Sequence, residues 1–360
     1  MNLRYALVPR AERARIMVWA SPLIAAALTL AAGALLFALM GRDPLQALRV
    51  FFWEPLATQR GWSELGLKAT PLILCAVGLA VCFRANVWNI GAEGQLIAGA
   101  IAGGGIALLA SRDSTRAMVP AIIVASALGG AAWAAVTAWL RDRYNANEIL
   151  VSLMLVYVAQ LLLAWLVQGV WKDPEGYGFP QSRLFEAAAR MPIVLNGTRL
   201  NIGFPLALIA AAALWFALER MVIGFQLRVA GLAPRAARYA GFSERRLLWL
   251  SLLLSGALAG IAGGIEVAGP IGQLTPTISP GYGFAAIIVA FVGRLHPLGV
   301  VLASLLMAQF YIGGELAQSR LGLPSALTGV YQGMLLFFLL ACDTLITHRV
   351  VRRVRATATA

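Results

Sequence analysis

Charge is what this 360-residue chain has least of: 12% of its residues are charged, while 60% are apolar and the mean hydropathy is +0.78. Soluble domains carry charge on roughly a quarter of their residues. A soluble globular enzyme and a disordered chain are therefore excluded. Three cysteines are too few for a disulfide scaffold, and the apolar runs do not alternate with period two, which excludes a porin-like barrel. Lysine occurs only as Lys68 and Lys172, preceded by Leu67 and Trp171. A Walker A loop needs Gly-Lys, so the chain cannot hydrolyse ATP by that route. The two histidines, His296 and His348, lie between spans and in a basic tail. No HExxH and no Cys/His cluster at ligand spacing occurs, so no metal and no cofactor is expected. An intramembrane serine protease lacks its histidine at depth. No ladder of basic residues marks a voltage sensor. Cys75 and Cys82, seven apart on one helix face, and Cys342 read as small core residues, with a disulfide left open by spacing alone.

Long apolar runs are what the chain does have. Hydropathy places spans at 17–40, 67–83, 89–110, 117–140, 149–170, 203–219, 247–267, 281–293, 297–313 and 325–347. The first is too long for a signal h-region and ends Leu39-Met40-Gly41-Arg42-Asp43 with no cleavage pattern, so it reads as a retained helix. The 281–293 run is short for a crossing and reads as a half-helix or re-entrant segment. The expected fold is an all-α polytopic membrane protein of about ten helices, one of them short or broken, with lipid around it.

The net charge of +13 would point to a polyanion in a soluble protein. Here it reads as basic residues at cytoplasmic helix ends, with no nucleic-acid partner. With the N-terminus inside and ten crossings, 18 of the 29 basic residues fall inside, as the positive-inside rule requires. The expected organisation is a basic cytoplasmic N-terminus over 1–16, one transmembrane domain over 17–347 and a basic cytoplasmic tail over 348–360. Loops 41–66 and 171–202 are then external, and Pro44–Trp53 has the pattern of a surface amphipathic helix. These loops either cap the bundle or dock an external partner.

Four segments carry information. In Asn89-Ile-Gly-Ala-Glu-Gly-Gln95, Gly91 and Gln95 continue through Gly99 and Gly103 as one helical stripe for close packing. Glu93 and Asn89 either cap the helix start or line a polar path. Asn147 before Glu148 reads as ordinary N-capping. In the inside loop 220–246, Pro234 starts and Gly241 stops a short helix that, isolated and basic, is expected to gain little from packing on its own protein and whose shape suits a groove on a partner. Gly256, Gly260 and Gly264 form successive GxxxG steps that end at Glu266, before the uncharged, breaker-rich run to Phe284. Such breaks mark pathways in transporters. Trp88, Asn89, Glu93, Gln95, Tyr282 and Phe284 are the candidate pathway residues, because they lie in the polar, glycine-rich segments where a path would need backbone freedom and hydrogen-bonding groups.

NIGAEGQ at 89–95, NEILVSLMLVYVA at 147–159, PRAARYAGFSERRL at 234–247 and GYGFAAIIVAFVGRLHPLG at 281–299 together resemble the permease subunits of bacterial ABC importers for nucleosides and simple sugars. They are most similar to the nucleoside type that works with a basic-membrane-protein-type binding lipoprotein. The resemblance implies a second permease subunit, commonly a different and shorter sister, a cytoplasmic ATP-binding-cassette ATPase and an external substrate-binding lipoprotein. It also implies that Pro234, Arg235, Ala236, Ala237, Arg238, Tyr239 and Gly241 are the ATPase-coupling segment. The family pattern begins Glu-Ala-Ala, and Arg235 stands where that glutamate would be. An ion-coupled secondary transporter of a small polar solute is the alternative. It would need ion-coupling groups at midplane, and Glu93 and Glu266 both lie near span ends.

Overall fold

The structure, a computed structural model, describes residues 4–9 and 15–353. The basic positions Arg10, Arg13 and Arg355 lie outside the described residues. The chain forms two compact units, Met1–Glu54 with Gly313–Ala360, and Pro55–Ile312.

In the first unit, strand β1 (Arg4–Pro9) pairs antiparallel with β2 (His348–Arg353), Arg4 opposite Arg353. Helix α1 (Arg15–Leu39) packs on α13 (Ala326–Thr347). The contact is close because Gly33 lacks a side chain where the Tyr331 ring lies. Tyr331 is fully buried and stacks on Phe51 at 4.6 Å between centroids. The helix expected over Pro44–Trp53 forms as α2 (Pro44–Leu48), running into a π turn over Arg49–Trp53. Asp43 caps it, accepting from the Leu45 amide at 2.8 Å.

In the second unit, α3 (Gln59–Arg84) begins eight residues before the expected span, which shortens the expected loop 41–66. Thr58 supplies the start, its hydroxyl accepting from the Gly61 amide at 3.1 Å. Arg60 and Glu64 lower the hydropathy of the first turns without breaking the helix. From Leu65 to Phe83, every residue of α3 but Lys68 is buried, so this helix runs through the middle of the unit.

α10 (Glu244–Glu266), α7 (Gly203–Arg220) and α4 (Ala92–Leu108) lie against α3, while α5 (Met118–Tyr144) packs on α10 and α4, and α6 (Glu148–Gln168) on α4 and α5. Glycines set the spacing of α4, α5 and α10. A Cβ at Gly99 would fall on the backbone of Gly260, and one at Gly256 would meet the Ala134 methyl at 2.5 Å. Gly264 and Gly103 both face the Ser126 hydroxyl, and Gly91 faces the Ser152 side chain. Side chains at these positions would overpack contacts that have no slack, at a cost of about 1–3 kcal/mol each.

The loop 220–246 holds more helix than the sequence pattern gave. α8 (Val222–Leu232) precedes α9 (Pro234–Tyr239), because Leu227 and Ala230 find an apolar bed formed with Val81, Leu218 and Leu247. The loop 171–202 lies along residues 267–274: the Ser182, Phe185 and Met191 amides donate to the carbonyls of Leu274, Gly272 and Ala268. The unit closes with α11 (Tyr282–Val292) and the part of α12 (Pro297–Leu321) up to Ile312. Seven helices are long and apolar enough to cross a membrane, and four apolar helices are shorter, among the described residues. Cys75, Cys82 and Cys342 are free thiols, all buried.

Candidate functional site

Two chain breaks build the site. After α3, Ala85–Gly91 runs without helix, turned by Asn86 in the left-handed region (φ 56°), before α4 starts at Ala92. After α10, a π turn over Val267–Ile271 and an irregular run to Gly281 (φ 94°) precede α11. Pro270, Pro280 and the glycines of this run remove amide donors and open positive φ, so no long helix can continue through it.

The two helices that follow the breaks meet at their N-termini. The Glu93 carboxylate, 1% exposed in the first turn of α4, accepts from the Gly283 amide of α11 at 2.6 Å. The Ser279 hydroxyl and the Gly281 backbone bond it too. Ser279 in turn accepts from the Tyr282 amide at 2.9 Å. Gly283 has to be glycine here: a Cβ would stand 2.5 Å from the Glu93 Cα.

The depth of this junction follows from length. Eleven residues of α11 span about 16 Å at 1.5 Å per residue. At the far end of α11 the Leu295 carbonyl accepts from Arg84 Nε at 2.9 Å, and Phe291 stacks on Phe83 at 5.2 Å. The junction therefore lies about 16 Å in from the end that carries Arg84, a length about half the thickness of a ~30 Å hydrocarbon core. Each helix N-terminus presents about half a positive charge. One carboxylate thus answers two converging helix dipoles. Asn89 and Gln95 face elsewhere. Their amides bond each other reciprocally at 3.0 Å, and Asn89 Nδ2 donates to Ser255 Oγ of α10 at 3.0 Å. Asn89 Oδ1 also accepts from the Gly91 amide, an Asx turn that fixes the entry to α4.

Of the six candidate pathway residues, Asn89, Glu93, Gln95 and Tyr282 are buried, whereas Trp88 (39% exposed) and Phe284 (37% exposed) reach the surface. Trp88 packs on Phe83 at 5.4 Å, and its amide donates to Glu148. Glu148 also pairs with Arg141. Asn147 caps α6 through the Ile149 amide at 2.9 Å, as its spacing indicated, but the bridge from Glu148 to Trp88 was invisible in sequence. Ser279, Gly283 and Ser255 were also missed. Only their partners across the fold give them a role, although the breaker-rich composition marked the 267–284 stretch.

The Arg84 end carries the short helix. α9 begins with Pro234 in its first turn and stops at Gly241 (φ 79°). Ala237 is fully buried in the cluster of Val81, Leu218, Leu227 and Leu247. This corrects the expectation that the helix gains little from its own protein: one methyl anchors it. Its other face is open, with Tyr239 98% exposed. Arg235 and Ala236 are exposed, and Arg238 pairs with Glu244 at 3.1 Å. A cavity of about 450 Å³ beside it is lined by Asn86, Arg141, Pro234, Arg238 and Arg245, joining the α9 segment to the break before α4.

Residues 63–340 match the family described as branched-chain amino acid transport system / permease component. The chain is 34% identical to the glucose ABC transporter permease protein TsgB13 of Haloferax volcanii, over 97% of this chain and 94% of that one. It is 31% identical to the guanosine ABC transporter permease protein NupP of Bacillus subtilis, over 88% and 91%. With the nucleoside ABC transporter permease protein NupB of Lactococcus lactis it shares 27% identity, over 88% and 89%.

Proposed function

Because this chain belongs to the branched-chain amino acid transport system permease-component family, we propose that it forms half of the pathway by which an ATP-driven importer takes up a nucleoside or a simple sugar. It is an ABC importer permease, a multi-pass protein of the cytoplasmic membrane and a transport component. The observation that carries the pathway reading is the meeting of two broken helices at Glu93, about 16 Å in from the end that carries Arg84. Membrane proteins keep irregular backbone at depth only where protein or a cavity satisfies it, and half-helix N-termini are where transporters hold polar groups. Trp88 and Phe284 offer aromatic surface to the path, while Asn89, Gln95, Glu93 and Tyr282 fix its walls. Relatives named for guanosine, nucleosides and glucose support a neutral, hydroxyl-rich solute.

A cytoplasmic ATP-binding-cassette ATPase docks on the open face of α9 and supplies the hydrolysis for which this chain has no Walker A loop. A second permease subunit, a different and shorter sister, completes the pathway, and an external binding lipoprotein delivers the solute. Residues 17–347 act as one permease domain with ten crossings and both termini cytoplasmic. The antiparallel pairing of β1 with β2 supports an even number of crossings, since it brings the two chain ends together. Cysteines at Phe179 and Tyr239, both well exposed, should then react with an impermeant thiol reagent from opposite sides of the membrane. Reaction from the same side refutes the topology. The function itself is tested in proteoliposomes that hold the permease pair, the ATPase and the binding protein. Uptake of guanosine or glucose should require ATP and proceed without an ion gradient. Uptake driven by a sodium or proton gradient without ATP would instead establish the secondary-transporter reading.

A further inference from the structure

We infer that Glu148 is a positioning residue for transport: it sets the Trp88–Gly91 segment of the pathway, and through Arg141 it ties that segment to the cavity beside α9. This rests on the transport reading above.

The non-helical break between α3 and α4 has amides that no helix ladder satisfies, so the side chains that accept from them decide where it lies. Two of those side chains are on α6. The Trp88 amide donates to Glu148 Oε1 at 3.3 Å, and the Ile90 amide donates to Ser152 Oγ at 3.2 Å. Glu148 and Ser152 are both buried and, four residues apart, share one face of α6. The helix rises about 6 Å between them, and two residues of extended chain advance up to about 7 Å. The first turn of α6 is therefore a template whose spacing matches alternate amides of the break. The contact stays close further along: a Cβ at Gly91 would stand 2.8 Å from that of Ser152, and one at Gly94 would stand 2.9 Å from the Val156 Cα. Ser152 is itself anchored, its hydroxyl donating to the Ile149 carbonyl at 3.2 Å.

Glu148 differs from Ser152 in carrying a charge, and its ionic partner is Arg141 in the last turn of α5. Arg141 lines the cavity of about 450 Å³ beside α9, together with Asn86, Pro234 and Arg238. Asn86 accepts from Trp88 Nε1 at 3.1 Å. Trp88 is thus held at its amide by Glu148 and at its ring by Asn86, and both holds lead to this cavity. Asp142, next to Arg141, accepts from Arg245 Nε at 2.8 Å and from Trp249 Nε1 at 3.1 Å, both on α10. Glu244 of α10 pairs with Arg238 of α9. Arg238 and Arg245 are exposed, where solvent leaves an ion pair little strength. The Arg141–Glu148 pair is the shielded link, its side chains 31% and 11% exposed. A change at the cavity therefore reaches Trp88 chiefly through this pair.

Solute moved per ATP hydrolysed, measured in the assembled complex with guanosine and with glucose, reads this role, because a structural fault lowers uptake and hydrolysis together. Arg141→Gln breaks the pair at the end away from the pathway. Glu148→Gln breaks it while leaving an oxygen for the Trp88 amide. Each should cut the solute moved per ATP about tenfold, the size of one charged hydrogen bond, while hydrolysis persists. Arg141→Lys keeps the charge and should keep most of the wild-type ratio. The double variant, Arg141→Gln with Glu148→Gln, leaves no unpaired charge. It should assemble as the wild type does and be no worse than either single change, as two residues acting as one unit require. If a single variant fails to assemble, the double variant decides. A wild-type ratio in the double variant, or its failure to assemble, assigns the pair to structure alone and overturns the inference. A wild-type complex that moves neither solute overturns the proposed function, and this inference with it.

Discussion

Tyr239→Ala should uncouple the importer while leaving the permease folded. Tyr239 is 98% exposed on α9, and the opposite face of that helix is pinned by Ala237 in the apolar cluster with Val81, Leu218 and Leu247. An exposed aromatic on a rigidly anchored helix is the side chain most suited to be an interface anchor. Its truncation is expected to weaken ATPase docking by about 2 kcal/mol, roughly thirtyfold. Titrating ATPase into permease proteoliposomes and following solute-stimulated hydrolysis measures this directly. Ala237→Asp makes the contrast. It places a charge in the permease's own core, a cost of several kcal/mol, so the permease itself should lose thermal stability. Stimulated hydrolysis that survives Tyr239→Ala at wild-type ATPase concentrations would remove α9 as the docking element. Arg235, one helical turn before Tyr239, is exposed too.

Glu93→Ala should abolish uptake and destabilise the permease together. It strands the Gly283 amide and the Ser279 hydroxyl in a buried junction, where each unsatisfied donor costs about 1–3 kcal/mol. It also removes the one charge that answers two helix N-termini, worth up to about 2 kcal/mol in partly buried settings. Glu93→Gln separates these contributions. The glutamine oxygen can still accept from Gly283, so assembly and melting temperature should stay near wild type. If the charge holds the junction in its working geometry, uptake by the glutamine variant falls at least tenfold while basal hydrolysis persists. Normal uptake by Glu93→Gln would reduce Glu93 to a cap of ordinary hydrogen-bonding character. Gly283→Ala is expected to match Glu93→Ala, because its methyl would collide with the Glu93 backbone from the other side of the same contact.

The helices were legible because each depends on its own stretch of chain. Apolar length marked the long helices, Asn147 marked the start of α6, and Pro234 with Gly241 bracketed α9. α8 was hidden, because Arg228 and Gln226 interrupt its apolar pattern and its burial depends on Val81 and Leu218 from other helices. The early start of α3 was hidden for a similar reason: a helix that continues beyond the bilayer carries polar residues that depress hydropathy. At the candidate site, sequence marked both breaker-rich segments and drew its pathway candidates from both. It gave no sign that Glu93 caps the other helix, or that Asn89 and Gln95 bond each other and Ser255. Those partners are up to 190 residues apart in sequence, and nothing local encodes them. The anchoring of α9 through Ala237 was hidden for the same reason, since a short helix viewed alone does not reveal which face its own protein covers.

The most direct measurement is the accessibility of position 284 during turnover. Phe284→Cys adds a half-exposed thiol beside the junction, and the native cysteines Cys75, Cys82 and Cys342 are buried. In the assembled complex a small water-soluble thiol reagent should label this cysteine. Guanosine or glucose should slow the labelling, and trapping the ATPase with ATP and vanadate should change its rate by about tenfold or more, as a site whose access alternates with the transport cycle requires. Labelling that ignores both the solute and the nucleotide state would contradict a pathway past the junction of α4 and α11.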